Sequence, residues 1–203
     1  MTRVRAILWD ADGVLQRPPA GWNWRDDIDR IAGPGFSEIV YAAEIPSLRG
    51  DERFRDALAR LLVEHPQSPL SADDLIGVWE MTAVEPGAFE LVGEVRAHGV
   101  QCILATNQHD HRRAWMRDEL GYDQHFDRVF YSCEMGVMKP DPEFFRRILD
   151  EAGLSAGEVG FIDDSAKNIV TATDLGIRAV LHGPSSGVAG LRMAVGEILR
   201  PSG

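Results

Sequence analysis

Residues 4–15, VRAILWDADGVL, decide the architecture. The run 4–9 is short and nearly all apolar, and it stops abruptly at Asp10-Ala11-Asp12-Gly13, as a strand buried on both faces of a parallel sheet would on entering a polar loop. Three later runs end the same way: 100–105 before Thr106-Asn107, 128–131 before Ser132, and 159–162 before Asp163-Asp164. A fifth run covers 177–181. Helical patterns at 111–120, 142–152 and 166–175 lie between them and stop at Gly121, Gly153 and Gly176. The second opens with Asp141 as N-cap and Pro142 at the first helical position. The alternation predicts an α/β fold with a doubly wound parallel sheet, in which ligands sit outside the carboxyl ends of the strands.

The first two strands are separated by far more chain than the roughly 30 residues of a βαβ unit. Most of the surplus reads as helix, at 24–31, 51–64 and 73–83, with Phe54, Leu58, Leu61 and Leu62 on one stripe and Leu75, Ile76 and Trp79 on another. Pro86-Gly87 punctuates before a helix at 89–97 that leads back into the sheet. The expected organisation is a core of residues 1–15 and 86–203 with a small helical cap, 16–85, inserted after strand 1 and placed to exclude water as a lid. A last helix is expected at 187–200, with 201–203 frayed.

The 203 residues carry 21 Lys plus Arg against 32 Asp plus Glu, a formal charge of −11. So acidic a surface disfavours nucleic acid and anionic lipid headgroups. No segment reaches the roughly 18 apolar residues of a membrane span, and Asp10 and Asp12 interrupt the N-terminal apolar run before a signal-peptide core is complete, so a soluble cytoplasmic protein is expected. The two cysteines, Cys102 and Cys133, read as reduced structural thiols.

Asp10 and Asp12 end strand 1, and Asp163 and Asp164 end strand 4, so the topology brings four carboxylates to one rim of the sheet. Such a group calls for a divalent cation, and hard oxygen ligands suit Mg²⁺, which keeps waters that a phosphate oxygen can replace. No Cys/His set has zinc spacing. Thr106, Asn107 and Lys139 add a hydroxyl, an amide and an ammonium to the same rim, which makes a phosphate receptor.

The four segments WDADGVL, ILATN, GVMKPDPEFF and FIDDSAKNI resemble, in order, the four motifs of the haloacid dehalogenase-like hydrolase superfamily. The insert is similar to the small helical cap of its first subclass. The later motifs look most like those of sugar-phosphate phosphatases and of the phosphatase domain of soluble epoxide hydrolases. The resemblance implies a Rossmann-like core and a Mg²⁺-dependent phosphomonoester hydrolase acting on a small phosphorylated metabolite such as a sugar phosphate. It implies Asp10 as nucleophile forming an aspartyl-phosphate, Asp12 as acid and base, and Thr106, Asn107 and Lys139 as phosphate ligands. The metal would be held by Asp10, the main-chain carbonyl of Asp12 and Asp164, with Asp163 in support through water or by orienting Lys139, and Asn168 supportive at most.

Dehalogenases of the superfamily lack the second acid of the first motif, so Asp12 argues against dehalogenation. Phosphonate hydrolases use a cap lysine, and residues 16–85 contain none. A phosphomutase of the same superfamily and a non-catalytic phosphate-binding module are the alternatives, and the oligomeric state is open. Outside the motifs, His109 and His111 read as a helix-start surface, Trp79 as buried packing, and Asp56, Arg60 and Glu64 as a solvated salt-bridged face.

Overall fold

The computed structural model describes residues 3–200, so the frayed end expected at 201–203 lies outside the described residues. In chain order the elements are β1 (Ala6–Trp9), β2 (Gln16–Arg17), α1 (Trp24–Ala32), α2 (Phe36–Leu48), α3 (Phe54–Glu64), α4 (Ala72–Glu80), β3 (Ala83–Val84) and α5 (Ala88–Ala97). They continue with β4 (Gln101–Thr106), α6 (Asp110–Asp118), β5 (Arg128–Tyr131), the one-turn α7 (Ser132–Met135), α8 (Pro142–Ala152), β6 (Val159–Asp163), α9 (Ala166–Asp174), β7 (Arg178–Leu181) and α10 (Gly187–Leu199).

Five strands form one sheet in the order β5-β4-β1-β6-β7 with every pair parallel, which is the doubly wound α/β arrangement expected from the sequence. β1 is central, and all four of its residues are buried because successive side chains enter opposite layers. Ile7 and Trp9 join Val92, Val95, Leu191 and Ile198 of α5 and α10 on one face. Ala6 and Leu8 join Phe144, Phe145, Ile148 and Ala172 of α8 and α9 on the other. Gly160 in β6 lets α10 approach closely, since a Cβ there would lie 2.3 Å from Ile198 Cγ2.

The helices α1 to α4 build a core of their own around Ile28, Val40, Phe54, Leu58, Leu75, Ile76 and Trp79. They lie between β2 and β3, which pair antiparallel through Gln16–Val84 and Arg17–Ala83. The chain thus leaves and re-enters the main sheet side by side. Three of these helices match the sequence expectation to within a few residues at each end, and α2 does not feature in it. Its apolar residues fall all round the helix, with Ile39, Tyr41 and Ile45 exposed, and Pro46 lies inside it, so periodicity does not mark it even though Gly33-Pro34-Gly35 and Gly50 bracket it. The ion-paired face drawn from Asp56, Arg60 and Glu64 also changes, because Arg60 pairs with Glu52, the residue N-terminal to the cap of α3.

Both thiols are free, Cys102 being buried and Cys133 partly so. Among the described residues no helix is long and apolar enough to cross a membrane.

Candidate active site

Asp10 follows β1, and the loop after it closes on itself, with the N–H groups of Val14, Leu15 and Gln16 all donating to the Ala11 carbonyl. Gly13 is required in this turn twice over. Its φ is +74°, and a Cβ there would sit 2.1 Å from Asp164 Oδ2. The close approach of backbone to carboxylate is how the loop after β1 and the end of β6 come to share one rim.

Lys139 is the electrostatic centre of that rim. Its Nζ lies 2.8 Å from Asp10 Oδ1 and 2.6 Å from Asp163 Oδ2, and all three groups are buried. Burial works against the ammonium, but the two carboxylates outweigh it and hold its proton more tightly than usual. Burial pushes the Asp10 carboxyl well above the usual range; Lys139 opposes this, while the Asp163 and Asp12 charges add to it. Asp10 Oδ1 also accepts from the Ala11 N–H at 2.8 Å. Asp163 has its oxygens committed to Lys139, to the Ser165 N–H at 2.7 Å and to Asn168 Nδ2 at 3.0 Å. Its arrangement suits orienting Lys139, and Asn168 supports it.

Asp10, Asp163 and Asp164 each offer a carboxylate oxygen within 4.8 Å of the other two. The partly exposed Asp164 is pushed above the usual range by burial and by the neighbouring Asp163 charge. The donors are all hard oxygens, their negative charge exceeds what Lys139 offsets, and the set therefore fits Mg²⁺.

Asp12 belongs to a different pole. Its Oδ1 accepts from Gln16 Nε2 at 3.0 Å and Arg112 Nη2 at 2.8 Å, and its Oδ2 accepts from Gln108 Nε2 at 2.7 Å. These donors turn the side chain away from the other three acids while it stays 54% exposed. Sequence reading missed all three. Gln108 directly follows Thr106-Asn107, which is a usable signal, but nothing distinguishes Arg112 from its neighbour Arg113.

Thr106 ends β4 with its hydroxyl buried and 3.3 Å from Gln108 Nε2. Asn107 pairs with the main chain of Lys139 in both directions, Nδ2 donating to the carbonyl and Oδ1 accepting from the N–H, each at 2.9 Å. The amide thereby sets the height of Lys139 over the rim.

His109 is no surface residue. It caps α6, with Nδ1 accepting from the Arg112 N–H at 3.2 Å, and its ring is fully buried and stacked 4.0 Å from Phe54. Burial holds it neutral, well below the usual histidine range, and the nearby Arg112 and His111 charges act in the same direction. Facing it from α2, Glu44 accepts from Trp79 Nε1 at 2.9 Å and lies 3.8 Å from His109 Nε2. Burial raises the Glu44 carboxyl to about 7; the Trp79 bond opposes this, Asp12 adds to it, and Arg112 and Arg25 oppose it. A carboxyl raised on folding contributes stability that is present below its unfolded pKa and lost as pH rises through its folded one. Glu44→Gln is therefore expected to stabilise the protein by up to about 3 kcal/mol at pH 8 and by almost nothing at pH 4. Urea unfolding at the two pH values measures it, and a gain that does not change with pH contradicts it.

The family model for haloacid dehalogenase-like hydrolases matches residues 4–176. The chain belongs to that family. Among its relatives, a phosphoglycolate phosphatase of Rhodospirillum rubrum is 27% identical over 87% of this chain and 78% of its own length. The bifunctional epoxide hydrolase 2 of Sus scrofa is 35% identical over 88% of this chain and 36% of its own length. Three further curated relatives are matched over 19%, 39% and 44% of their length, so the chain spans less than half of each. A family enzyme of Bacteroides thetaiotaomicron, solved as a magnesium complex, superposes with a TM-score of 0.77 at 21% identity, covering 90% of this chain and 95% of that one. At that identity the likeness establishes the fold, a Rossmann-like family core.

Proposed function

We propose that this family member is a Mg²⁺-dependent phosphomonoester hydrolase that works through an aspartyl-phosphate. The observation that carries the reading is the division of labour between two acids one residue apart. Asp10 sits at the pole of Lys139, Asp163 and Asp164, and Asp12 faces Gln16, Gln108 and Arg112 at the partly open mouth. The first pole suits a bound phosphoryl group, and the second suits its leaving group.

Asp10 attacks phosphorus while Asp12 gives its proton to the leaving oxygen, so that one O–P bond forms, one breaks, and the alcohol departs neutral. Asp12, now a carboxylate, then takes a proton from a water that attacks the phosphorus, releasing inorganic phosphate and restoring Asp10. Lys139 lowers the repulsion between the Asp10 carboxylate and the phosphate dianion, and Thr106 and the Asn107 loop complete the phosphate seat. Asp10 and Asp164, with the Asp12 main-chain carbonyl, would hold Mg²⁺. When bound, the ion supplies further neutralisation of the phosphate oxygens.

The named activity of the Rhodospirillum rubrum relative supports a phosphatase reading. The substrate class is a small phosphorylated metabolite such as a sugar phosphate, since a molecule of charge −11 admits one phosphate where a cation and Lys139 reverse the local sign but repels extended polyanions. Release of inorganic phosphate from a panel of sugar, nucleotide and carboxylic-acid phosphates, present with Mg²⁺ and abolished by EDTA, is the expected result. No release from any of them contradicts the reading, and transfer of the phosphoryl group to a second hydroxyl would mark a mutase.

A further inference from the structure

We propose that Arg112 is the positioning residue for Asp12 and makes proton transfer there conditional on docking of the helices α1 to α4. The proposal rests on the phosphomonoester reading. Arg112 lies in the first turn of α6 with only 7% of its side chain exposed. One terminal nitrogen donates to Asp12 Oδ1 at 2.8 Å, and the other donates to the main-chain carbonyl of Trp79. That carbonyl is in the last turn of α4, where carbonyls lack intrahelical partners and carry the partial negative charge of the helix end. The cap helices thus present a cation acceptor built from backbone.

The guanidinium is a rigid planar fork, so fixing one arm fixes where the other points. Its Nε has no hydrogen-bond partner among the described residues, which leaves these two hydrogen bonds, with the Trp115 ring centroid 5.7 Å from the guanidinium carbon, to orient it. Gln16 and Gln108 also hold Asp12, but neither has a bond to α1–α4 among the described residues. Arg112 alone of the three donors joins the acid to α4. The two residues before it are tied across the same junction. Asp110 Oδ1 accepts from the Phe54 N–H at 2.9 Å, and His111 Nε2 lies 2.7 Å from Glu80 Oε1. Three successive residues of α6 therefore register the seating of α3 and α4, and the third passes it to Asp12.

A misplaced Asp12 fails first where a poor leaving group needs a proton. An alkyl phosphate has that need and an activated aryl phosphate such as p-nitrophenyl phosphate does not. The value of kcat/KM reports the steps through departure of the alcohol, so the alkyl-to-aryl ratio of kcat/KM isolates this role from later hydrolysis. Asp12→Asn sets the scale, with an expected fall in the ratio of about 100-fold. Arg112→Gln is expected to lower the ratio about tenfold or more, and Arg112→Lys, which keeps charge without the fork, by less. His111→Ala loosens the junction without touching Asp12 and should move the ratio in the same direction by a smaller factor.

Equal losses on both esters in the Arg112 variants overturn the positioning role while leaving the phosphatase reading intact. An unchanged ratio in His111→Ala overturns the dependence on docking. If Arg112→Gln fails to fold by thermal melt, Arg112→Lys decides by the same ratio. A wild-type protein that hydrolyses neither ester with Mg²⁺ present removes the phosphatase reading itself.

Discussion

Asp10→Asn is expected to lower kcat on any phosphomonoester by at least about 10⁴-fold while leaving the fold intact. Asparagine keeps the shape and the Oδ1 acceptor that takes the Ala11 N–H and faces Lys139, so local geometry survives. The attacking electron pair and the negative charge are lost. Burial already makes that charge costly to keep, which is why the carboxyl is pushed well above the usual range, so the variant should melt at or above the wild-type temperature. Steady-state kinetics, a thermal melt and mass spectrometry of acid-quenched protein test this together. The wild type should trap a phosphoryl group on the tryptic peptide containing Asp10, and the variant none. Retention of more than a few per cent of activity by a folded variant would refute Asp10 as nucleophile.

Lys139→Met is expected to be the most destabilising single change at the site, by about 3–5 kcal/mol near neutral pH, because it removes the cation that holds two buried carboxylates 2.8 and 2.6 Å from it. The deficit should depend on pH with a defined sign. Burial and the Asp163 charge raise Asp10, and with Lys139 gone the Ala11 N–H is left to oppose them without a cation. The folded state then binds protons more tightly than the unfolded chain, so stability is greatest in acid and falls as pH rises. Guanidinium unfolding at pH 5 and pH 8 should show a smaller deficit at pH 5. Adding Asp163→Asn to Lys139→Met should recover part of the loss at pH 8, since it removes one of the unpaired acids, and a double variant no more stable than the single one would contradict the pairing.

How much of this was legible in the sequence follows from how far each interaction reaches along the chain. β1, β4 and β6 are short, buried and followed at once by chemistry-bearing residues, so apolar runs and their abrupt ends reveal both the strands and the rim where Asp10, Thr106, Asp163 and Asp164 gather. The helices that cover the sheet carry local punctuation, such as the Asp141 cap and Pro142 opening α8 and Gly153 closing it with φ +66°. α2 is bracketed by Gly33-Pro34-Gly35 and Gly50, but Pro46 lies inside it and its hydrophobicity is not confined to one face, so no helical period shows between those marks.

The sequence by itself determined the parallel α/β core and the order in which its acids, hydroxyl and lysine reach one edge, because strand burial and strand-end polarity are local properties of the chain. The tertiary structure decided what each of those groups touches. Gln108 and Arg112 meet Asp12 from 96 and 100 residues away, Asn107 spends its amide on the main chain of Lys139, and His109 is buried under Phe54 instead of lying at the surface. The His109 contact and the second arm of Arg112 depend on how α3 and α4 seat on the start of α6, and the Gln108 and Asn107 contacts on how separate strand ends meet at one rim; neither leaves a periodicity, cap or breaker for the sequence to show.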